Sequence, residues 1–170
     1  MPALLRERGF GLRPATAADM PFLAALYASN RATELASVPW PESARRAFLD
    51  SQFALQHRHY VQHYPEADFL VITRAGQPQG RLYLHRGIEE DLVIDISLLP
   101  ACCGLGVGSA LLAGVVQRAQ KAALGVQLHV LHTNTAARRL YERLGFQVVG
   151  DTGSHLHMRH RAGATADSVS

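Results

Sequence analysis

The feature that most constrains this chain is a strand-forming run that hands over to a helix through three alternating glycines. Leu92-Val-Ile-Asp-Ile-Ser-Leu-Leu99 has the branched, apolar make-up of a buried strand, and Pro100 stops it. Gly104, Gly106 and Gly108 follow. From about Ser109 to Ala122, Leu111, Leu112, Val115 and Val116 then fall on one helical stripe. Such a unit brings backbone N–H groups close to the helix N-terminus, where the dipole favours an anion. The glycines thus read as a pyrophosphate cradle or, taken alone, as a flexible connection with no ligand. Two nucleotide signatures fail. The third glycine of a G-x-G-x-x-G fingerprint falls on Ser109 or Leu111, and the lysine of a phosphate-binding P-loop is missing.

Composition limits the remaining classes. The chain has 170 residues, 48% hydrophobic and 18% charged, which suits one domain with a sizeable core and excludes a disordered or fibrous chain. Basic residues exceed acidic ones by 17 to 14, a formal charge of +3, and Lys121 is the only lysine. Arginine forks suit anionic ligands, but the charge is small and scattered, so nucleic acid is permitted without being argued for. Cys102 and Cys103 are adjacent and make no disulfide framework or zinc set, so no metal is expected. With neither a signal-like apolar segment nor a run of roughly 20 apolar residues, the expectation is a soluble, reducing, cytoplasmic setting.

Along the chain, Phe10–Pro14 reads as extended, and Thr16-Ala-Ala-Asp19 as a capping box ahead of a helix to about Arg31. A second helix is expected from Glu42 to about Tyr64. Strands follow at Asp68–Arg74 and Gly80–His85 around a four-residue turn, Ala75-Gly-Gln-Pro78. After the glycine loop come a strand at Val126–Leu131, a helix from Asn134 to Leu144 closed by Gly145, and a strand pair at Phe146–Val149 and Ser154–Met158. The tail has no periodicity and is expected to be disordered.

The second informative stretch is Asn134-Thr-Ala-Ala-Arg-Arg-Leu-Tyr-Glu-Arg-Leu-Gly-Phe146, in which Ala137, Leu140, Tyr141 and Leu144 share a helical face. A tyrosine there is a core residue or a proton donor, its phenol having a pKa of about 10. Together the two stretches resemble the GNAT superfamily of acetyl-CoA-dependent N-acetyltransferases. Cys103–Gly108 is similar to its acyl-CoA loop. Asn134, Ala137, Leu140, Tyr141, Gly145 and Phe146 are similar to its second signature.

The resemblance implies an α/β (α+β) single domain over residues 10–160, with residues 161–170 as tail. Its sheet would be mixed and mostly antiparallel, with six or seven strands and about four flanking helices. It implies direct transfer of an acetyl group from acetyl-CoA to a primary amine of a small molecule or peptide. The backbone of Leu98 and Leu99 would hold the pantetheine arm in a gap beside the Val126–Leu131 strand. The segment Cys103, Gly104, Gly106, Val107, Gly108 and Ser109 would meet the pyrophosphate. Asn134 and Ala137 would contact the cofactor, and Tyr141 would protonate the departing thiolate. Cys103 departs from the family's Arg or Gln, so the grip would fall to the backbone. Such an anionic cofactor suffices as the arginine-rich chain's partner, without nucleic acid. Dimers are frequent in the family, which admits a homodimer that no residue here demonstrates.

The acceptor amine must lose a proton before it attacks. Asp95 is the leading base, because it alternates with Ile94 and Ile96 and so faces away from the core; its other reading is a structural carboxylate. Glu34 and His85 are reserves, and water can relay the proton instead. Trp40, Tyr83, Phe53, His57 and Tyr60 are candidate walls for the acceptor, together with Glu34 and His85. Two other readings stand beside acetyl transfer. One is transfer of a different acyl group; the other is a catalytically weak acyl-CoA sensor or partner-binding module.

Overall fold

A computed structural model describes residues 1–163; the expected tail from 164 onward lies outside the described residues. The helices are α1 (Ala3–Glu7), α2 (Met20–Leu35), α3 (Glu42–His63), α4 (Val107–Lys121) and α5 (Thr135–Arg143). The strands are β1 (Phe10–Pro14), β2 (Asp68–Arg74), β3 (Gln77–Arg86), β4 (Glu90–Leu98), β5 (Gly125–Leu131), β6 (Gln147–Asp151) and β7 (His155–His160). They form one sheet in the order β1-β2-β3-β4-β5-β7-β6. Every neighbouring pair is antiparallel except β4 with β5. The expected mixed sheet of six or seven strands is therefore present with seven, flanked among the described residues by five α-helices where about four were expected, the fifth being the one-turn α1.

Two apolar clusters cover the sheet. On one face Leu111, Leu112, Val115 and Val116 of α4 pack with Leu82, Leu84, Val93, Leu128 and Val130, and Tyr141 and Phe146 close this core. On the other, Leu23 and Tyr27 of α2 meet Leu49 and Phe53 of α3. Short helix α1 lies ahead of the expected domain start, yet its Leu5 is fully buried in the main core. Five residues carry too little periodicity to announce a helix.

Local chemistry explains most boundaries. The Thr16–Asp19 capping box forms as read, with Asp19 also accepting both guanidinium nitrogens of Arg13 at 2.7 and 2.8 Å. The following helix runs to Leu35, past the expected Arg31, since Ala32-Thr-Glu-Leu35 contains no breaker. The turn between β2 and β3 is shorter than expected. Ala75 and Gly76 both adopt positive φ, 49° and 78°, so two residues reverse the chain where four were expected.

One irregularity positions the site. Tyr83 pairs with Asp95 but Leu84 pairs with Val93, so Ile94 is an extra, bulged residue in β4. Val93 lies on the α4 face, and so do Ile96 and Leu98 beyond the bulge. The bulge therefore reverses the alternation and turns Asp95 towards α3.

Candidate active site

Strands β4 and β5 pair only from Glu90↔Gly125 to Val93↔Leu128. Beyond that point β4 continues to Leu98 and β5 to Leu131 without pairing, leaving a slot through the sheet. The Leu99 N–H is bonded to the Gln79 carbonyl at 2.8 Å, and the Leu99 carbonyl accepts from the Cys102 N–H at 2.8 Å. Leu99, one of the two leucines expected to hold a ligand, thus has its backbone committed. Strand alternation turns the peptide groups of Leu98 and Ile96 the other way, towards the slot.

At the top of the slot the chain turns through a short 3-10 segment, Pro100–Cys102, into the glycine loop. Gly104 and Gly106 have φ of +74° and +76°, which only glycine adopts without strain, and a Cβ on either would meet nothing within 4 Å. Among the described residues, the N–H groups of residues 104–109 have no protein acceptor. They converge on the N-terminus of α4, which begins at Val107, two residues earlier than expected. The Val107 side chain is buried in the core, so its contribution to a ligand is its backbone. Arg8, just after α1, donates to the Leu105 carbonyl at 3.0 Å and puts a guanidinium beside a loop whose own position 103 is cysteine. No sequence signal tied that N-terminal arginine to the loop.

The slot opens into a cleft of about 530 Å³. Leu98, Cys103, Gly108, Asn134, Ala137 and Tyr141 line one part of it. The Asn134 side chain also caps α5, accepting from the Ala137 N–H at 3.2 Å. Tyr141 is 8% exposed, and burial, with a smaller effect of the Asp95 charge, pushes its phenol up to about 12. It is therefore protonated at neutral pH and able to donate.

Tyr27 and Glu34 of α2, Gln56 and Tyr60 of α3, Arg81, Asp95 and His129 form the other part. Arg81 is buried, pairs with Asp95 and donates to Gln56 Oε1 at 2.8 Å, while Ser97 Oγ donates to Asp95 Oδ1 at 2.9 Å. Asp95 faces the cleft, turned there by the bulge at Ile94, but both of its oxygens are engaged. Glu34 lies at the exposed rim, 3.7 Å from Arg31.

Several expected wall residues sit elsewhere. Trp40 is exposed, edge-on to Phe48, and Phe53 belongs to the α2–α3 core. Tyr83 is wholly buried beneath α3, edge-on to Tyr60 and Phe69. His85 lies against Tyr64, and His57 is stacked on Phe53. None of these five lines the cleft. Tyr27, Gln56, Arg81 and His129 are cleft residues that carry no motif in the sequence; His129 shows why. Its alternation with Leu128 and Val130 pointed to the opposite face, but only strand order brings that face to Asp95.

The model of the acetyltransferase (GNAT) family matches residues 26–146, well over half the chain. The chain belongs to the GNAT acetyltransferase family. Solved structures agree on the fold. The PaiA N-acetyltransferase of Thermoplasma acidophilum, in complex with coenzyme A, superposes with a TM-score of 0.68 at 17% identity, covering 89% of this chain and 98% of that one. YncA of Salmonella typhimurium, solved with acetyl-CoA, gives 0.58 at 20% identity over 93% and 96%. The Escherichia coli ribosomal-protein-S18-alanine N-acetyltransferase gives 0.60 at 20% identity over 95% and 99%. No curated protein matches in sequence. This GNAT domain is thus an acyltransferase by family. Among its described residues, no helix is long and apolar enough to cross a membrane.

Proposed function

We propose that this GNAT protein transfers the acetyl group of acetyl-CoA directly to a primary amine of a small molecule or peptide. The observation that carries the reading is a slot joining unpaired N–H groups at one end to a buried, protonated tyrosine in its wall. The N–H groups of residues 104–109 supply the dipolar grip that a pyrophosphate requires. The backbone of Leu98 and Ile96 offers hydrogen bonds to an extended, amide-bearing arm. The cosubstrate supplies a thioester, whose carbonyl carbon is open to an amine and whose sulfur leaves as thiolate. A strand N–H near Leu98 suits stabilisation of the tetrahedral oxyanion, and Tyr141 donates the proton to sulfur. The acceptor enters from the side of α2 and α3, where Tyr27, Glu34 and Tyr60 border the cleft.

One observation favours a second reading. Both oxygens of Asp95, the base expected from the sequence, are held by Arg81 and Ser97, as suits a CoA-binding domain without turnover. Thiol release from acetyl-CoA, followed with a panel of small amines and of peptides with free N-termini, separates the two. Acetyl transfer requires amine-dependent release. A thermal shift with CoA but no release with any acceptor would establish the binding module instead, and faster release with longer acyl chains would reassign the acyl group.

A further inference from the structure

For every proton that Tyr141 gives to sulfur, one must leave the acceptor nitrogen. On the acceptor side of the slot, Asp95 of β4 and His129 of β5 are both placed to take it. Their hydrogen bonds separate them. Asp95 is tied to Arg81 and Ser97, and protonating it would strand the charge of a guanidinium whose side chain is 3% exposed. His129, by contrast, has no hydrogen bond to either ring nitrogen among the described residues, and its ring lines the cleft. It stacks on His157 at a centroid distance of 4.6 Å and an interplanar angle of 12°. His157 is itself fixed, its Nε2 bonded to Gln127 Oε1 at 2.8 Å.

We propose that His129 is the general base that removes the amine proton, with His157 and Gln127 as the residues that position it. The assignment rests on the acetyl-transfer reading. Alternation with the core residues Leu128 and Val130 puts His129 on the α2–α3 side of the sheet, where the acceptor enters. Tyr141 belongs to the core on the opposite side, so acid and base flank the slot from its two faces. The nitrogen lone pair forms the new C–N bond, and the ammonium proton passes to an imidazole nitrogen of His129. The C–S bond breaks, and the Tyr141 proton goes to sulfur. Imidazolium and phenolate then return to their starting states by proton exchange with water.

The charge environment agrees with the geometry. Partial desolvation against the cleft wall, and then the neighbouring His157 and His155, lower the pKa of His129, which keeps the ring neutral and its lone pair free to accept a proton at neutral pH. The other ionisable groups facing the cleft are Tyr27, Arg31 and Glu34 of α2, Tyr60 of α3, Arg81 of β3, Asp95 of β4, Cys103 of the glycine loop, Tyr141 of α5 and His155 of β7. Arg31 is near Glu34 and Arg81 is paired with Asp95, while burial raises the phenols of Tyr60 and Tyr141. The imidazoles are thus the side chains whose ordinary range lies between about pH 5 and 8.

The test compares kcat against pH, at saturating acceptor, in the wild-type protein, His129→Gln and His157→Phe. The proposal expects His129→Gln to lower kcat by about 10²–10⁴-fold while CoA binding, read by thermal shift, is kept. His157→Phe keeps an aromatic ring in the stack but removes the neighbouring imidazole charge. It should move the acid limb of kcat to higher pH, because His129 then protonates more easily. A His129→Gln protein that binds CoA and turns over within about threefold of wild type would overturn the assignment. So would an acid limb that does not move in His157→Phe. A wild-type protein inactive towards every amine would instead sink the acetyl-transfer reading.

Discussion

Replacing Gly80 by alanine tests the outer wall of the slot. Gly80 of β3 pairs with Leu98 of β4. A Cβ at Gly80 would fall within the contact radius of the Ser97 carbonyl oxygen, 2.9 Å from Leu98 Cδ2 and 3.2 Å from Leu98 Cα. Two of these neighbours are backbone atoms, so no side-chain rotation relieves the crowding. β3 and β4 must part locally, an overpacking cost of about 1–3 kcal/mol. Weakening the adjacent bond from the Leu99 N–H to the Gln79 carbonyl adds about 1 kcal/mol. The sum is about 2–4 kcal/mol, and a chain of this size loses about 2–4 °C of Tm per kcal/mol, so Tm should fall by about 5–15 °C. Because Leu98 lines the cleft, CoA affinity should fall with it. Calorimetric melting with a parallel CoA titration checks both. A Tm within about 2 °C of wild type, with unchanged affinity, would refute the close β3–β4 approach from which the slot is built.

Three further outcomes are expected. Leu5→Ala, in a helix that lies ahead of the expected domain, should cost about 2–5 kcal/mol in denaturant unfolding because Leu5 is fully buried; a neutral substitution would detach α1 from the core. Gly106→Ala has room for its Cβ but not the backbone, so stability should fall by about 1 kcal/mol. As the strained loop turns its N–H groups away, CoA affinity by titration should drop about tenfold, and unchanged affinity would remove Gly106 from the cradle. The Arg13 hydrogen bonds, with that of the Thr16 N–H, hold the Asp19 carboxyl well below the usual carboxylate range. Its folded value being depressed, the stabilisation is complete above the unfolded pKa of about 3.9 and is lost as pH falls below it. Asp19→Asn should therefore cost about 1 kcal/mol at neutral pH and flatten the acid limb of the pH–stability curve, measured by urea unfolding; parallel curves would contradict this.

The sequence made elements legible where a chemical signal marked them. Thr16 and Asp19 announced a cap, Gly145 a helix end, and the alternate glycines a strand-to-helix loop. It was less informative wherever the determinant was a neighbour in space. Ala75 entered the left-handed region against its own preference, so the two-residue turn left no glycine–asparagine signature. The bulge at Ile94 depends on how β3 pairs with β4, and composition along β4 alone does not locate it. Asp95 faces away from the core as expected, but the bulge at Ile94 and not regular alternation turns it there, and its partner Arg81 lies on another strand, so its engagement could not be read. Tyr83 and Trp40 looked like cleft walls because aromatic residues suit both cores and ligands. Packing put one beneath α3 and left the other exposed against Phe48. His129 is the converse case, a polar residue of a largely apolar strand that gains meaning only once β5 is seen to part from β4.

The central claim is that the slot brings a CoA thioester to Tyr141, which supplies the proton to the leaving sulfur. Turnover of the Tyr141→Phe protein, measured as amine-dependent thiol release beside its CoA affinity, tests that claim most directly. The account predicts that kcat falls by about 10²–10⁴-fold while CoA affinity is retained. An unchanged kcat would contradict it and remove Tyr141 from the chemistry.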